Sequence, residues 1–248
     1  MDSTAQETCQ LLDWDTQFFG IRIAQVTAPI LTDEIAKATL QWCRAEKISC
    51  LYYLVPCDHA KPISLAEKFN FHLVDIRLTF ERSSKISTEP QAYRHIRRAE
   101  ESDIPLLREI ARQAYRNTRF YNDGNFTVHQ CENLYMTWIE KSCQGYADSV
   151  WVASPGNEPG GFITCHRENG TGQIGLLGIH PSYHRQGWGE KLVKSALRWF
   201  SEHSCTPVKV VTQGNNRAAQ KLYEQCGFHL SSVQLWYHHW FDPFPQEG

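Results

Sequence analysis

The sequence predicts an α/β protein in which helices pack on a mixed sheet, with a smaller α/β part ahead of a larger one. Three observations carry this. From residue 93 onward, helical and strand periodicities follow one another in the order β-α-α-β-β-β-α-β-α-β. A polar, serine-rich stretch, Glu81–Gln91 (ERSSKISTEPQ, with Pro90), reads as a linker in the 248-residue chain and sets expected domains of 1–88 and 89–248. A glycine-bearing loop lies between a strand pattern and a long amphipathic helix.

The elements of the larger part follow from local chemistry. Tyr93–Arg97 has a short strand pattern. Ser102 or Asp103 caps a helix with Pro105 in its first turn, and Leu107, Ile110, Ala111 and Ala114 form its stripe. Arg116–Phe126 (RNTRFYNDGNF) has no period and reads as a loop. A second helix carries Cys131, Leu134, Tyr135, Trp138 and Ile139. Val150–Ala153 is a short apolar strand. Phe162–His166 and Gln173–Ile179 pair around the turn Glu168-Asn169-Gly170. His180-Pro181 breaks the pattern, Tyr183–Gly189 is the glycine-bearing loop, and a helix runs from Glu190 to about Glu202. Val208–Thr212 is β-branched. Asn215 or Asn216 caps a last helix with the stripe Ala219, Leu222, Tyr223 and Cys226. Gly227 ends it, and Phe228–Tyr237 closes as a strand.

Composition narrows the function classes. Apolar residues at 42% and charged residues at 21% are those of a soluble globular chain, and a net charge of −2 gives no nucleic-acid footprint. No apolar run approaches the roughly 18–20 residues that cross a bilayer. Met1–Gln10 is polar and has no charged-then-apolar leader. A cytoplasmic protein without a membrane partner is expected. Nine cysteines, an odd number with no C-x-x-C pair, argue against a disulfide framework and against zinc. They read as small buried hydrophobes, and no metal is expected. His238 and His239 are adjacent, so on a strand they face opposite ways and do not serve one metal together.

One internal echo stands out. Ser64–Glu81 aligns without gaps on Lys221–His238, with Leu65, Glu67, Phe71, His72, Leu73 and Leu78 matched. Both segments read as a helix end running into a strand. A chance αβ motif explains this, as does an N-terminal part that is a reduced copy of the C-terminal fold. On the second reading Ala66 stands where Tyr223 stands, and His59 where Asn216 stands.

His184-Arg185-Gln186-Gly187-Trp188-Gly189 sits between strand and helix, where backbone N–H groups and the helix dipole favour an anion. No G-K-[ST] follows, and the third glycine of the dinucleotide fingerprint is missing. A bare G-x-G also fits a plain tight turn. The run of strand, proline, loop, long helix and then Asn-Asn-Arg-Ala-Ala-x-x-x-Tyr is more specific. GLLGIHPSYHRQGWGEKLV followed by NNRAAQKLYEQCGF resembles the GCN5-related N-acetyltransferases (GNAT) over roughly residues 93–240. One slot departs from their [RQ]-x-x-G-x-[GA] loop, since His184 stands where Arg or Gln is usual. Within that superfamily LDWDTQFFGIRIA, IRRAEESDIPLLREIA, TRFYND, LYMTWIEKS, IGLLGIHP and LWYHHW resemble the TDP-fucosamine acetyltransferase group, a likeness spanning nearly the whole chain.

The resemblance implies an acyl-CoA N-acyltransferase fold, a mixed sheet with helices on both faces, preceded by the smaller α/β domain. It implies acetyl transfer from acetyl-CoA to the amine of a TDP-linked 4-amino-4,6-dideoxyhexose by direct attack on the thioester. Arg185, Gln186, Gly187, Trp188, Gly189 and Glu190 then hold the pyrophosphate. Leu176, Leu177, Gly178 and Ile179 run beside the pantetheine arm, and a nearby N–H polarises the thioester carbonyl. Gly175 and Gly178 allow close approach, or mark a bulge. Asn216 and Ala219 meet the cofactor from the last helix. Tyr223 gives a proton to the departing thiolate, since a phenol pKa near 10 is close to a thiol's ~8.5; by pattern alone it reads first as a core tyrosine, and the family match reverses that order. On the acceptor side Arg119, Phe120, Asp123 and Trp236 are the residues expected to bind, with Arg112 and Arg116 nearby. The base stays open among Asp123, His129, His166, Glu168 and a water chain. Relatives suggest a homodimer. Two other readings remain: an acetyltransferase acting on a protein N-terminus, a lysine or another small amine, and a non-catalytic acyl-CoA sensor.

Overall fold

The computed structural model describes residues 8–28, 30–84, 93–156 and 158–241. The chain forms two units. The first comprises Met1–Arg77, Asn122–Asn125 and Val233–Gly248; the second comprises Leu78–Tyr121 and Phe126–Ser232.

The first unit contains β1 (Cys9–Leu11), α1 (Asp13–Phe19), β2 (Ile23–Val26), α2 (Asp33–Ala45), β3 (Cys50–Pro56), α3 (Ala60–Lys68), the start of β4 (His72–Arg82) and the end of β10 (His229–Trp240). Its strands lie in the order β1-β2-β3-β10. β2 is parallel to β3 from Ile23/Cys50, and β3 is antiparallel to β10, with Tyr52 opposite His238 and Cys50 opposite Trp240. Cys50, Leu51, Tyr52 and Tyr53 are all buried, as expected of an inner strand covered on both faces. α2 starts at Thr32, whose hydroxyl accepts the Ile35 amide at 3.2 Å, and it buries Ala36, Leu40 and Cys43 on one stripe.

The second unit contains β5 (Ile96–Arg98), α4 (Ile104–Ala114), most of α5 (Arg119–Asp123), α6 (Val128–Lys141), β6 (Ser149–Ala153), β7 (Gly161–Glu168), β8 (Thr171–Ile179), α7 (Trp188–Glu202), β9 (Val208–Gln213) and α8 (Arg217–Gln225). Its order is β4-β9-β8-β7-β6-β5. β5 to β8 are antiparallel neighbours, and β8 is parallel to β9. The β7–β8 hairpin turns on Asn169 (φ 48°) and Gly170 (φ 77°), the two left-handed residues that an Asn-Gly turn supplies. Leu192, Val193, Ala196, Leu197 and Phe200 are the buried stripe of α7.

Several expectations shift. The first strand of the larger part is Ile96–Arg98 rather than Tyr93–Arg97. Asp103 ends a 3-10 turn: its carboxylate accepts the Glu100 amide at 2.8 Å and Arg97 at 2.6 and 2.8 Å, so the chain enters the helix upstream of the expected cap. Ala114 is exposed and leaves the stripe. The expected loop 116–126 contains α5, too short to show a helical period. α7 begins at Trp188, two residues early, and β10 continues to Trp240. Glu81 and Arg82 of the expected linker belong to β4, while residues 85–92 lie outside the described residues. Among the described residues no helix is long and apolar enough to cross a membrane.

Candidate active site

The site begins where β8 parts from β9. Their parallel ladder runs from Gly172/Val208 to Ile174/Val210 and, among the described residues, goes no further. On its other side β8 is bulged: Gly175 and Leu176 together stand opposite the single residue Thr164 of β7, and the Leu176 amide turns to the Thr164 hydroxyl at 2.8 Å. A backbone that leaves one neighbour has polar groups to offer a ligand on that side. Two glycines of β8 answer to side chains of β7: a Cβ on Gly178 meets the Phe162 ring at 2.8 Å, and one on Gly175 meets His166 Nε2 at 2.6 Å.

After Ile179 the chain makes a 3-10 turn at Pro181–Tyr183. His184 Nε2 lies 2.9 Å from the Ile179 carbonyl, and the Gln186 amide group donates to the Ser182 carbonyl at 3.0 Å. The side chains of the loop thus brace its own backbone. Arg185 (φ 60°) and Gly187 (φ 78°) are both left-handed, and Gly187 precedes α7 with no side-chain cap. Among the described residues the amides of Gln186, Gly187, Trp188, Gly189 and Glu190 meet no acceptor; the Lys191 amide reaches the Gly187 carbonyl at 3.2 Å. Unclaimed amides at the positive end of a 15-residue helix are chemically suited to an anion. A Cβ on Gly189 meets Leu222 at 3.1 Å, so this glycine brings the start of α7 against α8.

α8 is capped by Asn216, whose Oδ1 accepts the Ala219 amide at 3.2 Å. One turn on, Tyr223 is 4% exposed, with its ring tilted against Phe80 and Phe228 at 6.0 and 5.9 Å. Burial pushes its phenol well above its ordinary pKa, with a small further push from Cys226. The phenol therefore holds its proton at neutral pH. Tyr115, at the end of α4, brings a second buried phenol into electrostatic reach of Tyr223 and of the Leu177 amide. Sequence reasoning missed Tyr115; nothing in the local pattern distinguishes it from the end of an ordinary stripe.

The acceptor-side residues divide between the units. In the second, the Arg119 guanidinium lies 4.3 Å from the centre of the Phe120 ring, and Phe120 is buried edge-on to Phe126. Arg112 is paired with Glu109 and Glu132, and Arg116 with Glu132. In the first unit, Trp236 is half-buried and edge-on to Tyr52 at 6.3 Å. The Asp123 side chain is 1% exposed. It accepts from His238 Nδ1, from Trp240 Nε1 at 3.0 Å, and from the Asn125 side chain and amide at 2.6 and 3.2 Å. Burial alone would raise its pKa; these hydrogen bonds, His238 foremost, more than offset it and hold the carboxyl below its ordinary value. Cys50, Asp123 and His238 bring ligand-type atoms within 4.8 Å of one another. The accepting positions of the carboxylate are nevertheless filled by protein donors. His239 faces away, toward the Asn70 carbonyl at 3.2 Å. Of the other proposed bases, His129 is exposed beside Asn133, Glu168 is exposed at the hairpin, and His166 is pushed below its ordinary pKa by burial against the opposing pull of Asp148.

The sequence model of the acetyltransferase (GNAT) family matches residues 105–228, half of the chain. The chain belongs to this family. It is an acetyl-CoA-dependent N-acetyltransferase. It is 26% identical over 232 residues to the dTDP-fucosamine acetyltransferase of Escherichia coli, a match covering 91% of this chain and 95% of that one. Over 83 residues it is 36% identical to human N-alpha-acetyltransferase 30, covering 32% of this chain and 23% of the relative. A GCN5-related N-acetyltransferase from Sphaerobacter thermophilus shares the fold: TM-score 0.65, 14% identity, 94% of this chain and 76% of that chain.

Proposed function

We propose that this N-acetyltransferase acts on the amine of a nucleotide-linked amino sugar, a TDP-4-amino-4,6-dideoxyhexose, by direct attack on the acetyl-CoA thioester. The observation that carries the substrate class is the extent of the likeness to the dTDP-fucosamine enzyme, which runs through both units. The open start of α7 supports the cofactor assignment, because five amides that meet no acceptor among the described residues suit a pyrophosphate.

When bound, acetyl-CoA supplies an activated acyl carbon. The amides of Gly187, Trp188, Gly189 and Glu190, with Arg185 and Gln186 beside them, hold the diphosphate. The backbone of Leu176, Leu177, Gly178 and Ile179 hydrogen-bonds the pantetheine arm where β8 has left β9, and the Leu177 amide polarises the thioester carbonyl. Asn216 and Ala219 fix the start of α8, and Tyr223 delivers its proton to the sulfur as the C–S bond breaks. On the acceptor side Arg119 takes the nucleotide phosphate. Phe120 holds Arg119 from below. We assign the enclosed Asp123 to fixing the end of α5 rather than to touching the acceptor. Cytoplasmic location and a homodimer belong to the same reading, the second checked by sedimentation equilibrium.

The test is release of free CoA from acetyl-CoA with a panel of TDP-amino sugars, peptides, polyamines and aminoglycosides. Release with a TDP-4-amino sugar is expected. Release with peptides alone moves the substrate class to protein N-termini or lysines, and tight acetyl-CoA binding without transfer to any amine makes the protein a sensor.

A further inference from the structure

We infer that Thr164 is a positioning residue for acetyl transfer: its buried hydroxyl holds the bulge of β8 and so keeps the Leu177 amide turned to the side where β9 has left the ladder. This rests on the reading of Leu176–Ile179 as the strand beside the pantetheine arm. It deepens that reading by naming the side chain of the neighbouring strand that sets the direction of its amides.

Three hydrogen bonds fix that direction. Upstream of the bulge the Gly172 amide donates to the Pro207 carbonyl at 2.9 Å, toward the β9 side. Downstream, the Leu176 amide donates to the Thr164 hydroxyl at 2.8 Å and the His180 amide to the Gly160 carbonyl at 2.9 Å, both toward the β7 side. In a regular strand successive amides alternate sides, so residues four apart face the same way. Gly172 and Leu176 face opposite ways. The alternation has slipped by one place between them, where Gly175 and Leu176 share the single partner Thr164. The slip carries the Leu177 and Ile179 amides to the β9 side, past the last rung of that ladder at Ile174/Val210. Without it both amides would point at β7.

The slip also leaves the Leu176 amide facing β7 with no rung of its own. Leu176 and Thr164 are both buried, so a side chain of β7 has to supply the acceptor that water does not. The Thr164 hydroxyl is that acceptor, with His166 Nε2 3.4 Å from its oxygen. Gly175 makes the room: a Cβ there would meet Thr164 Oγ1 at 2.8 Å as well as the His166 ring. Thr164 touches no substrate. As the amine attacks, negative charge grows on the acyl oxygen, and an amide already aimed at it needs no reorganisation. Thr164 acts only by keeping that aim.

The experiment measures CoA release, with the panel amine that best supports it, in Thr164→Val, Thr164→Ser and Gly175→Ala; near-ultraviolet circular dichroism checks the fold at the assay temperature. Valine keeps the shape and removes the hydroxyl. It is expected to lower kcat about tenfold with the KM for acetyl-CoA changed less than about threefold, because the amides at the start of α7 are untouched. Serine keeps the hydroxyl and is expected to hold kcat within about twofold of the wild type. Gly175→Ala drives a Cβ into the hydroxyl with Thr164 in place; it should lower kcat as valine does, and it reads the same contact if valine is not tolerated. Wild-type kcat in folded Thr164→Val or in Gly175→Ala overturns the proposal. Equal losses in Thr164→Val and Thr164→Ser overturn it too, since packing of the methyl group would then be what matters. A wild type that binds no acetyl-CoA by calorimetry, or that releases CoA with no amine of the panel, removes the proposed function itself and this proposal with it.

Discussion

Residues 23–82 and 171–240 run through the same five elements, β-α-β-α-β, with the first two strands parallel in each. The helices of the two segments end alike. α2 and α7 hand over to the next strand through one left-handed residue, Lys47 (φ 52°) and Ser204 (φ 56°). The following amide reaches back to the helix in both, Ile48 to Cys43 and Cys205 to Phe200, each at 2.9 Å. α3 and α8 do the same through Asn70 (φ 58°) and Gly227 (φ 80°), with Phe71 bonded to Ala66 at 2.9 Å and Phe228 to Tyr223 at 3.0 Å. The helices begin differently. Thr32 caps α2 with its own hydroxyl, and Asp33 and Glu34 fill the first turn; α7 opens on Gly187 with its amides unclaimed. Asn216 caps α8, whereas His59 makes no capping bond to α3. Where α8 carries Tyr223, α3 carries the fully buried Ala66. Helix C-termini here turn the chain and are shared, while helix N-termini, where the proposed cofactor contacts of α7 and α8 lie, diverge. This likeness supports the proposal that the first segment is a reduced copy of the second, one that kept the architecture and closed its anion site.

That contrast can be broken by substitution. The largest effect is expected at Tyr223: Tyr223→Phe lowers kcat by 10² to 10³, about 3–4 kcal/mol, and leaves acetyl-CoA affinity by calorimetry nearly unchanged. The same variant changes alkaline stability. The folded-state pKa of Tyr223 lies above its unfolded value, so its contribution is complete below about pH 10 and is lost as rising pH ionises the unfolded chain. Denaturant titrations above pH 10 should therefore show the wild type losing stability faster than Tyr223→Phe.

Next comes the start of α7. Gly187→Asp sets a carboxylate at the helix end, as α2 already has, and forces a side chain into left-handed backbone. The affinity for acetyl-CoA should fall about thirtyfold, about 2 kcal/mol. Its counterpart Thr32→Ala opens the α2 start, costs about 1 kcal/mol of folding stability and leaves acetyl-CoA binding as it was. At the second helix pair, Asn216→Ala should cost about 1 kcal/mol by denaturant unfolding, and His59→Asn should gain up to about that much by supplying the missing cap. The smallest change is expected at the shared ends: Asn70→Gly shifts stability by a few tenths of a kcal/mol, since glycine suits the left-handed site as well or better. A large loss there would mean that the Asn70 side chain has work of its own and that the likeness of the two helix ends is superficial.

What was legible in the sequence follows the range of the forces involved. The β7–β8 hairpin, the α7 stripe, the Asn216 cap and the Gly227 stop rest on neighbours within a few positions, and the structure has them where local chemistry puts them. α5 escaped because five residues show no period, and its end is fixed by partners far away in sequence: Asp123 bonds to His238 and Trp240. The same distance hid the enclosure of Asp123, which by pattern is one more acid in a polar loop. In the site, the glycine loop was legible as a motif, but that five of its amides meet no acceptor among the described residues is a property of backbone geometry.

The carboxylate of Asp123 has one more consequence, for anyone trimming the chain. The family match stops at residue 228, which makes 105–228 a tempting fragment to express. A fragment cut there retains Asp123 but discards both ring donors that satisfy it, stranding a charge whose natural surroundings exclude solvent. The boundary of the recognisable motif is therefore not the boundary of a piece that folds.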